Sequence, residues 1–288
     1  MLSLHSAEEG DKLYRHLSAA IAPRPIAFVS TLGLDGTANL APFSFFNVFS
    51  ATPPVIVFSP VTGEDNTLKH THSNLLATKE CVVNVVSYNM VQQMSLASFG
   101  FEESVDEFKK SGFQKQSSDV VNAYRVAGAP VQFECKVKEI TSLGSQKGAG
   151  NLVICEVIKM HIEEAVLDEE GYINPVKIDL VARMGGDWYS RAKAGLFEVS
   201  RPTKAIIGID AIPAEIKESN ILTGNDLGKL GSVSQIPSLK EAKEFVDDDA
   251  FLVEIIATQD PEVIHKQAQL LLTENRILEA WKLLIAKY

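Results

Sequence analysis

The sequence predicts an α+β chain, mainly β with helices, that ends in a small helical extension. Three observations predict it. Short apolar runs bounded by turn residues recur from Ile26 to Ile162. The segment 129–140 alternates with period two, as a half-buried strand does. Beyond residue 204 these give way to acidic, helix-period patterns. The 288 residues suffice for one large or two modest domains. We expect a β-rich domain over 1–203 and the helical extension over 204–288.

Ser6 to Ala20 reads as a helix, with Leu13, Leu17 and Ala20 at helical spacing and Ser6/Glu9 as a capping box. Pro23 and Pro25 stop it and hold Arg24 extended between them. Ile26–Thr31 is a strand, Leu34-Asp35-Gly36-Thr37 a turn, and Ala38–Phe46 the antiparallel return. Val55–Ser59 is a buried strand. The run from Gly63 opens a helix capped by Asp65 or Asn66, with Thr67 and Lys69 in its first turn. Glu80–Ser87 is a strand, and Met90–Leu96 a helix. The acidic stretch Ser98–Gly112 ends in a short helix, and we expect it to cover part of a site or a subunit seam. Ala129–Ile140 and Leu152–Ile162 are strands joined by the glycine-rich loop 144–151, which lacks a complete nucleotide-loop fingerprint. Val166–Lys177 is a loop. In the last 85 residues, helical patterns fall at 239–246 and 261–288. Their apolar stripe, including Leu271, Leu272, Trp281 and Leu284, must pack on something: the β-rich domain, a second subunit or a partner.

Composition excludes several functions. A hydrophobic fraction of 45% and a charged fraction of 22% are ordinary for a globular protein. A net charge of −10 argues against a dedicated nucleic-acid binder, which needs cations to displace counterions. No apolar run reaches the roughly 18 residues of a membrane span, and the N-terminus lacks a secretory pattern. We therefore expect a cytoplasmic protein. Cys81, Cys135 and Cys155 sit in apolar runs without metal-ligand spacing and read as buried thiols. His70 and His72 do not share a helix face, so no metal is expected. No Ser/His/Asp grouping or nucleophile elbow can be assigned.

The chemistry-bearing stretch runs from Ala22 to Ser59. Within Asn39-Leu-Ala-Pro-Phe-Ser-Phe-Phe-Asn47, Phe43, Phe45 and Phe46 alternate with the polar Asn39, Ser44 and Asn47. This is either a Phe-rich core strand or the wall of a site for a flat, polar-rimmed ligand. Asn84 interrupts an apolar strand and must find partners, structural or ligand. In Val181-Ala-Arg-Met-Gly-Gly-Asp-Trp-Tyr-Ser190, two glycines allow a close approach, with Arg183 before them and Tyr189 after.

The ordered motifs PRPIAFVST, DG, NLAPFSFFN and PPVIVFS resemble the flavin reductase-like family, from about Tyr14 to about Pro202. The resemblance implies a split β-barrel, a homodimer, FMN bound near the subunit interface, and reduction of flavin by NADH or NADPH. It implies a flavin site formed by Arg24, Asn39, Ala41, Pro42, Phe43, Ser44, Phe45, Asn47, Ser59, Thr67, Lys69, Asn84, Arg183 and Tyr189, with His161 against the flavin ring or substrate. Backbone amides around 41–46 would hold the ring and ribityl, and Thr67, Lys69 and Arg24 the phosphate. The family's Lys-Asp-Thr stands here as Asp65-Asn66-Thr67, so only the Thr matches. Three functions fit: an NAD(P)H-dependent flavin reductase, a non-enzymatic FMN carrier, and a barrel with an altered site that binds something else.

Overall fold

The computed structural model describes residues 2–5, 10–64, 67–199, 201–202 and 205–287, and divides into two compact units, 1–197 and 198–288. The proposed capping box at Ser6/Glu9 and the caps at Asp65/Asn66 lie outside the described residues.

The first unit is built on β1 (Ala27–Leu32), β2 (Ala38–Phe43), β3 (Phe46–Ala51), β4 (Pro54–Phe58), β5 (Glu80–Val85), β8 (Val131–Ser142) and β9 (Asn151–Ile162). They form one antiparallel sheet in the order β2-β1-β5-β8-β9-β4-β3. Its two edge strands, β2 and β3, are consecutive in the chain and separated only by Ser44 and Phe45. The sheet therefore curls until its edges meet, which is the split barrel. The sequence expectation of one strand over 38–46 is corrected here. The chain bends at Ser44–Phe45 because β2 must pair with β1 while β3 pairs with β4.

The β1–β2 turn follows its local chemistry. Gly36 adopts φ 85°, and the Thr37 N–H donates to Asp35 Oδ1 at 2.9 Å. Pro42 is tolerated because β2 is an edge strand with no further ladder to feed. β1 is buried on both faces: Ala27 and Val29 join Phe58, Val83 and Val153 in one core, while Phe28 and Ile26 join Met94 and Phe108 in another. All three cysteines are free and buried, with Cys81 and Cys155 Sγ 3.9 Å apart.

Helices and short strands surround the sheet: α1 (Gly10–Ala20), α2 (His70–Thr78), α3 (Val91–Leu96), α4 (Glu107–Ser111), the pair β6 (Lys115–Gln116) and β7 (Arg125–Val126), and the hairpin β10 (Val181–Arg183)/β11 (Tyr189–Arg191). α2 begins at His70, with Lys69 at its N-cap position making no side-chain cap. Thr67 therefore precedes the helix and Lys69 stands at its N-cap, instead of both lying in its first turn, a second correction. Its hydroxyl donates to the Glu64 carbonyl at 2.8 Å.

The second unit comprises α5 (Ala214–Lys217), α6 (Gly224–Gly231), α7 (Leu239–Asp247), α8 (Ala250–Ala257), α9 (Pro261–Thr273) and α10 (Ile277–Ala286). Capping boxes at Thr223/Asp226 and Ser238/Glu241 start α6 and α7. Its own core holds Leu230, Leu272 and Leu284 around Trp281, whose indole N–H donates to the Leu230 carbonyl at 2.9 Å. Among the described residues, no helix is long and apolar enough to cross a membrane.

Candidate functional site

The expected site residues gather in two clefts that share the end of β2. The first, of about 360 Å³, is walled by Asn39, Ala41, Pro42 and Phe43, with Thr67 and Lys69 from the segment entering α2. Phe99 and Phe101 from the loop after α3 line it, and so does Glu107. The stretch 98–112 thus contributes Phe99, Phe101 and Glu107 to this cleft. Asn39 is anchored from behind: its amide donates to Thr71 Oγ1 at 2.8 Å and to Thr31 Oγ1 at 3.3 Å. Thr67 and Lys69 are exposed at the rim. Glu107 is buried and accepts the Leu40 N–H at 3.1 Å. Burial pushes its carboxyl above the usual range, against the opposing pull of the backbone N–H groups and His70.

The second cleft, of about 880 Å³, lies between α1 and the β10–β11 hairpin, and takes in Arg24, Ser44, Arg183 and Tyr189. The two sides are tied together. Arg24 and Arg183 exchange backbone hydrogen bonds at 2.9 Å each. The Arg24 guanidinium donates to the carbonyls of Ile21 and Met184, both at 2.8 Å, and of Ser18. Ser18 and Ile21 belong to the end of α1, where carbonyls lack helical partners, so Arg24 caps that helix. Its Nε is buried and without a partner. Burial, and the nearby Arg183 charge, pull the Arg24 pKa down. The Arg183 guanidinium lies 4.7 Å from the centre of the Tyr189 ring.

Five expected residues line neither cleft. Phe45 sits at the bend between them, with the Arg24 guanidinium 6.0 Å from its ring centre. Asn47 is exposed on β3 and accepts the Val48 N–H at 2.8 Å. Ser59 is buried with its hydroxyl unpartnered, while its N–H donates to the Phe45 carbonyl at 2.9 Å. Asn84 has structural partners: its amide donates to the Phe28 carbonyl and its Oδ1 accepts the Val126 N–H, both at 2.9 Å. His161 lies on β9 with Nε2 2.7 Å from Glu134 Oε1. Glu134 in turn accepts the N–H groups of Asp119, Val120 and Val121. His161 thus anchors the loop 119–121 through Glu134.

The sequence did not point to Glu107 or to Tyr14 and Arg15 of α1. Glu107 follows the N-cap Asp106 and carries the pattern of an ordinary first-turn acid. Only the packing of α4 against β2 buries it.

A family model described as flavin reductase like domain matches residues 19–177. The chain belongs to the flavin reductase-like family. The match ends before the second unit, 198–288. A protein of Aquifex aeolicus is 39% identical over 184 residues, covering 64% of this chain and 92% of its own length. Among solved structures, nitrilotriacetate monooxygenase component B from Bacillus cereus is 27% identical with a TM-score of 0.65, covering 69% of this chain and 98% of that one. The 2-nitrobenzoate 2-nitroreductase of Pseudomonas fluorescens is 26% identical with a TM-score of 0.63, covering 70% and 97%. A split-barrel protein of Shewanella frigidimarina shares the fold at 20% identity and a TM-score of 0.58, covering 70% and 100%.

Proposed function

We propose that this family member binds FMN in the cleft walled by β2 and works as an NAD(P)H-dependent flavin reductase. The observation that carries the reading is the gathering of Asn39, Ala41, Pro42, Phe43, Thr67 and Lys69 around one cavity of about 360 Å³. That volume lies within the roughly 300–1,000 Å³ typical of small-molecule sites. The donor set suits the ligand. Apolar and aromatic walls from Pro42, Phe43, Phe99 and Phe101 match a flat ring. The Thr67 hydroxyl and Lys69 ammonium at the rim match a phosphate. The nitroreductase and the monooxygenase component, at 26% and 27% identity, support redox work on this scaffold.

A flavin held by these residues would supply the hydride-accepting, two-electron chemistry of the reaction. The chain's own residues bind and orient. Lys69 and Thr67 hold the phosphate end, while Asn39, fixed by Thr31 and Thr71, keeps the β2 wall in place. The Phe99–Phe101 loop limits water at the ring. A second copy of the chain covers β3, where Val48 and Phe49 are 66% and 69% exposed. We place the protein in the cytoplasm.

The test is a visible absorption spectrum of the purified protein, repeated with NADH or NADPH without oxygen. An oxidised-flavin spectrum that bleaches is the expected result. A flavin spectrum that persists favours an electron carrier. Failure of the colourless protein to take up added FMN overturns the site.

A further inference from the structure

The cleft between α1 and the β10–β11 hairpin is larger than the proposed flavin cavity and differs from it in chemistry. It is lined by Arg15, Arg24 and Arg183 and by a single acidic residue, Asp187. The Arg24 guanidinium is held on the carbonyls of Ser18, Ile21 and Met184, which leaves Arg15 and Arg183 as the cations for a ligand. Among the described residues, neither Arg24 nor Arg183 has a carboxylate within ion-pair distance, and burial together with the Arg183 charge pulls the Arg24 pKa down. Clustered guanidiniums of this kind are stabilised by a polyvalent anion, which they grip in bidentate fashion. Beside them Trp188, a lining residue of the cleft, is 78% exposed. Tyr14 stands among the lining residues on the α1 side. Exposed aromatic faces next to arginines suit a ligand that carries both a π-face and negative charge.

We propose that this cleft binds the adenosine diphosphate end of the nicotinamide dinucleotide that donates the hydride. The inference rests on the reductase reading above. Arg183 and Arg15 contact the diphosphate, the Trp188 indole stacks on the adenine, and Asp187 accepts from ribose hydroxyls. Arg24 contributes rigidity, its guanidinium fixing the end of α1 to the hairpin through the carbonyls of Ile21 and Met184. About 880 Å³ accommodates a nucleoside diphosphate. Phe43 lines the flavin cavity and the next residue, Ser44, lines this cleft. A dinucleotide anchored here therefore has its nicotinamide end directed past the β2 end, toward the flavin.

The chain carries its own reporter. It has two tryptophans, and Trp281 is fully buried in the other unit, so a ligand-induced change in emission reports on Trp188. Full-length, flavin-loaded protein is titrated with ADP-ribose and, separately, with its 2′-phosphate, following tryptophan emission and heat. The expected result is saturable quenching by one of the two probes. The quenching is absent in Trp188→Leu, where heat still reports binding. Affinity falls about tenfold or more in Arg183→Ala and is partly restored in Arg183→Lys. Arg15→Ala, on an exposed helix face, gives the same direction without risk to folding. In turnover these changes raise KM for the dinucleotide more than they lower kcat.

Two results overturn the proposal. One is binding of neither probe by a protein whose flavin NADH or NADPH does reduce, which leaves the reductase reading standing. The other is displacement of ADP-ribose by free FMN, which makes the cleft a flavin site. If ADP-ribose binds in an Arg183-dependent way but neither dinucleotide reduces the flavin, the cleft assignment is supported and the reductase reading fails.

Discussion

Arg24 and Arg183, far apart in sequence, exchange both backbone hydrogen bonds at 2.9 Å. That bridge, with the Arg24 side chain on the carbonyls of Ile21 and Met184, joins the N-terminal helix to the β10–β11 hairpin. The joint is tight. A Cβ on Gly185 would lie 2.9 Å from the Ala19 Cβ and 3.2 Å from its Cα. Gly185→Ala is expected to push α1 off the hairpin at a cost of about 1–3 kcal/mol. Urea unfolding of the variant measures this, and an unchanged midpoint with an unchanged slope contradicts the close approach.

Glu107 is buried with its carboxyl pushed up, so its charge is a burden on the fold at neutral pH. The burden grows as pH rises from the ordinary glutamate value, about 4, to the raised folded value, and is absent in stronger acid, where the group is protonated in both states. Glu107→Gln, which can still accept the Leu40 N–H, is expected to match or exceed the wild type at neutral pH. Glu107→Ala leaves that N–H unpaired and loses about 1–3 kcal/mol. Chemical denaturation of both variants decides it. If the Gln and Ala proteins are equally unstable, the charge itself is needed.

The opposite sign holds at Glu134. Burial alone would raise its carboxyl, but the N–H groups of Asp119 and Val120, then His161 and the N–H of Val121, together hold it below the usual range. Its contribution is present above the ordinary glutamate value, about pH 4, and is lost as pH falls through the lower folded value. Glu134→Gln should destabilise the protein at neutral pH and narrow its difference from wild type as the pH is lowered. Parallel stability curves for the two proteins from neutral into acid would remove the carboxylate from this role.

The proposed phosphate contacts at the flavin cavity give a direct affinity measurement. Thr67→Ala combined with Lys69→Ala is expected to weaken FMN by roughly 2–4 kcal/mol, the loss of one or more charge-assisted hydrogen bonds. Flavin fluorescence titration reads it out. Wild-type affinity in the folded double variant moves the phosphate elsewhere.

Local chemistry made part of this molecule legible. Asp35-Gly36 announces its turn because the φ of 85° and the Asp35–Thr37 contacts are set within a few residues. The motif NLAPFSFFN left a Phe-rich core strand and a ligand wall both open, and four of its residues line the smaller cleft. Its break at Ser44–Phe45 was not legible, since Pro42 and Ser44 are scattered among apolar residues and form no recognised turn pair. The bend is imposed by pairing with β1 on one side and β4 on the other, both long-range events. For the same reason the partners of Asn84, Phe28 and Val126, could not be named beforehand. Nor could the burial of Glu107, or the meeting of Arg15 with a hairpin some 170 positions away.

Trp281 and Phe58 sit at the hearts of two separate cores, one in each compact unit. Cooperativity in folding follows shared cores, and these residues share none. A single melting temperature therefore does not describe this chain. Calorimetry is expected to resolve two transitions, and bound FMN should raise the one belonging to residues 1–197 by mass action. A destabilising substitution in α10 is then expected to lower the transition of residues 198–288 alone.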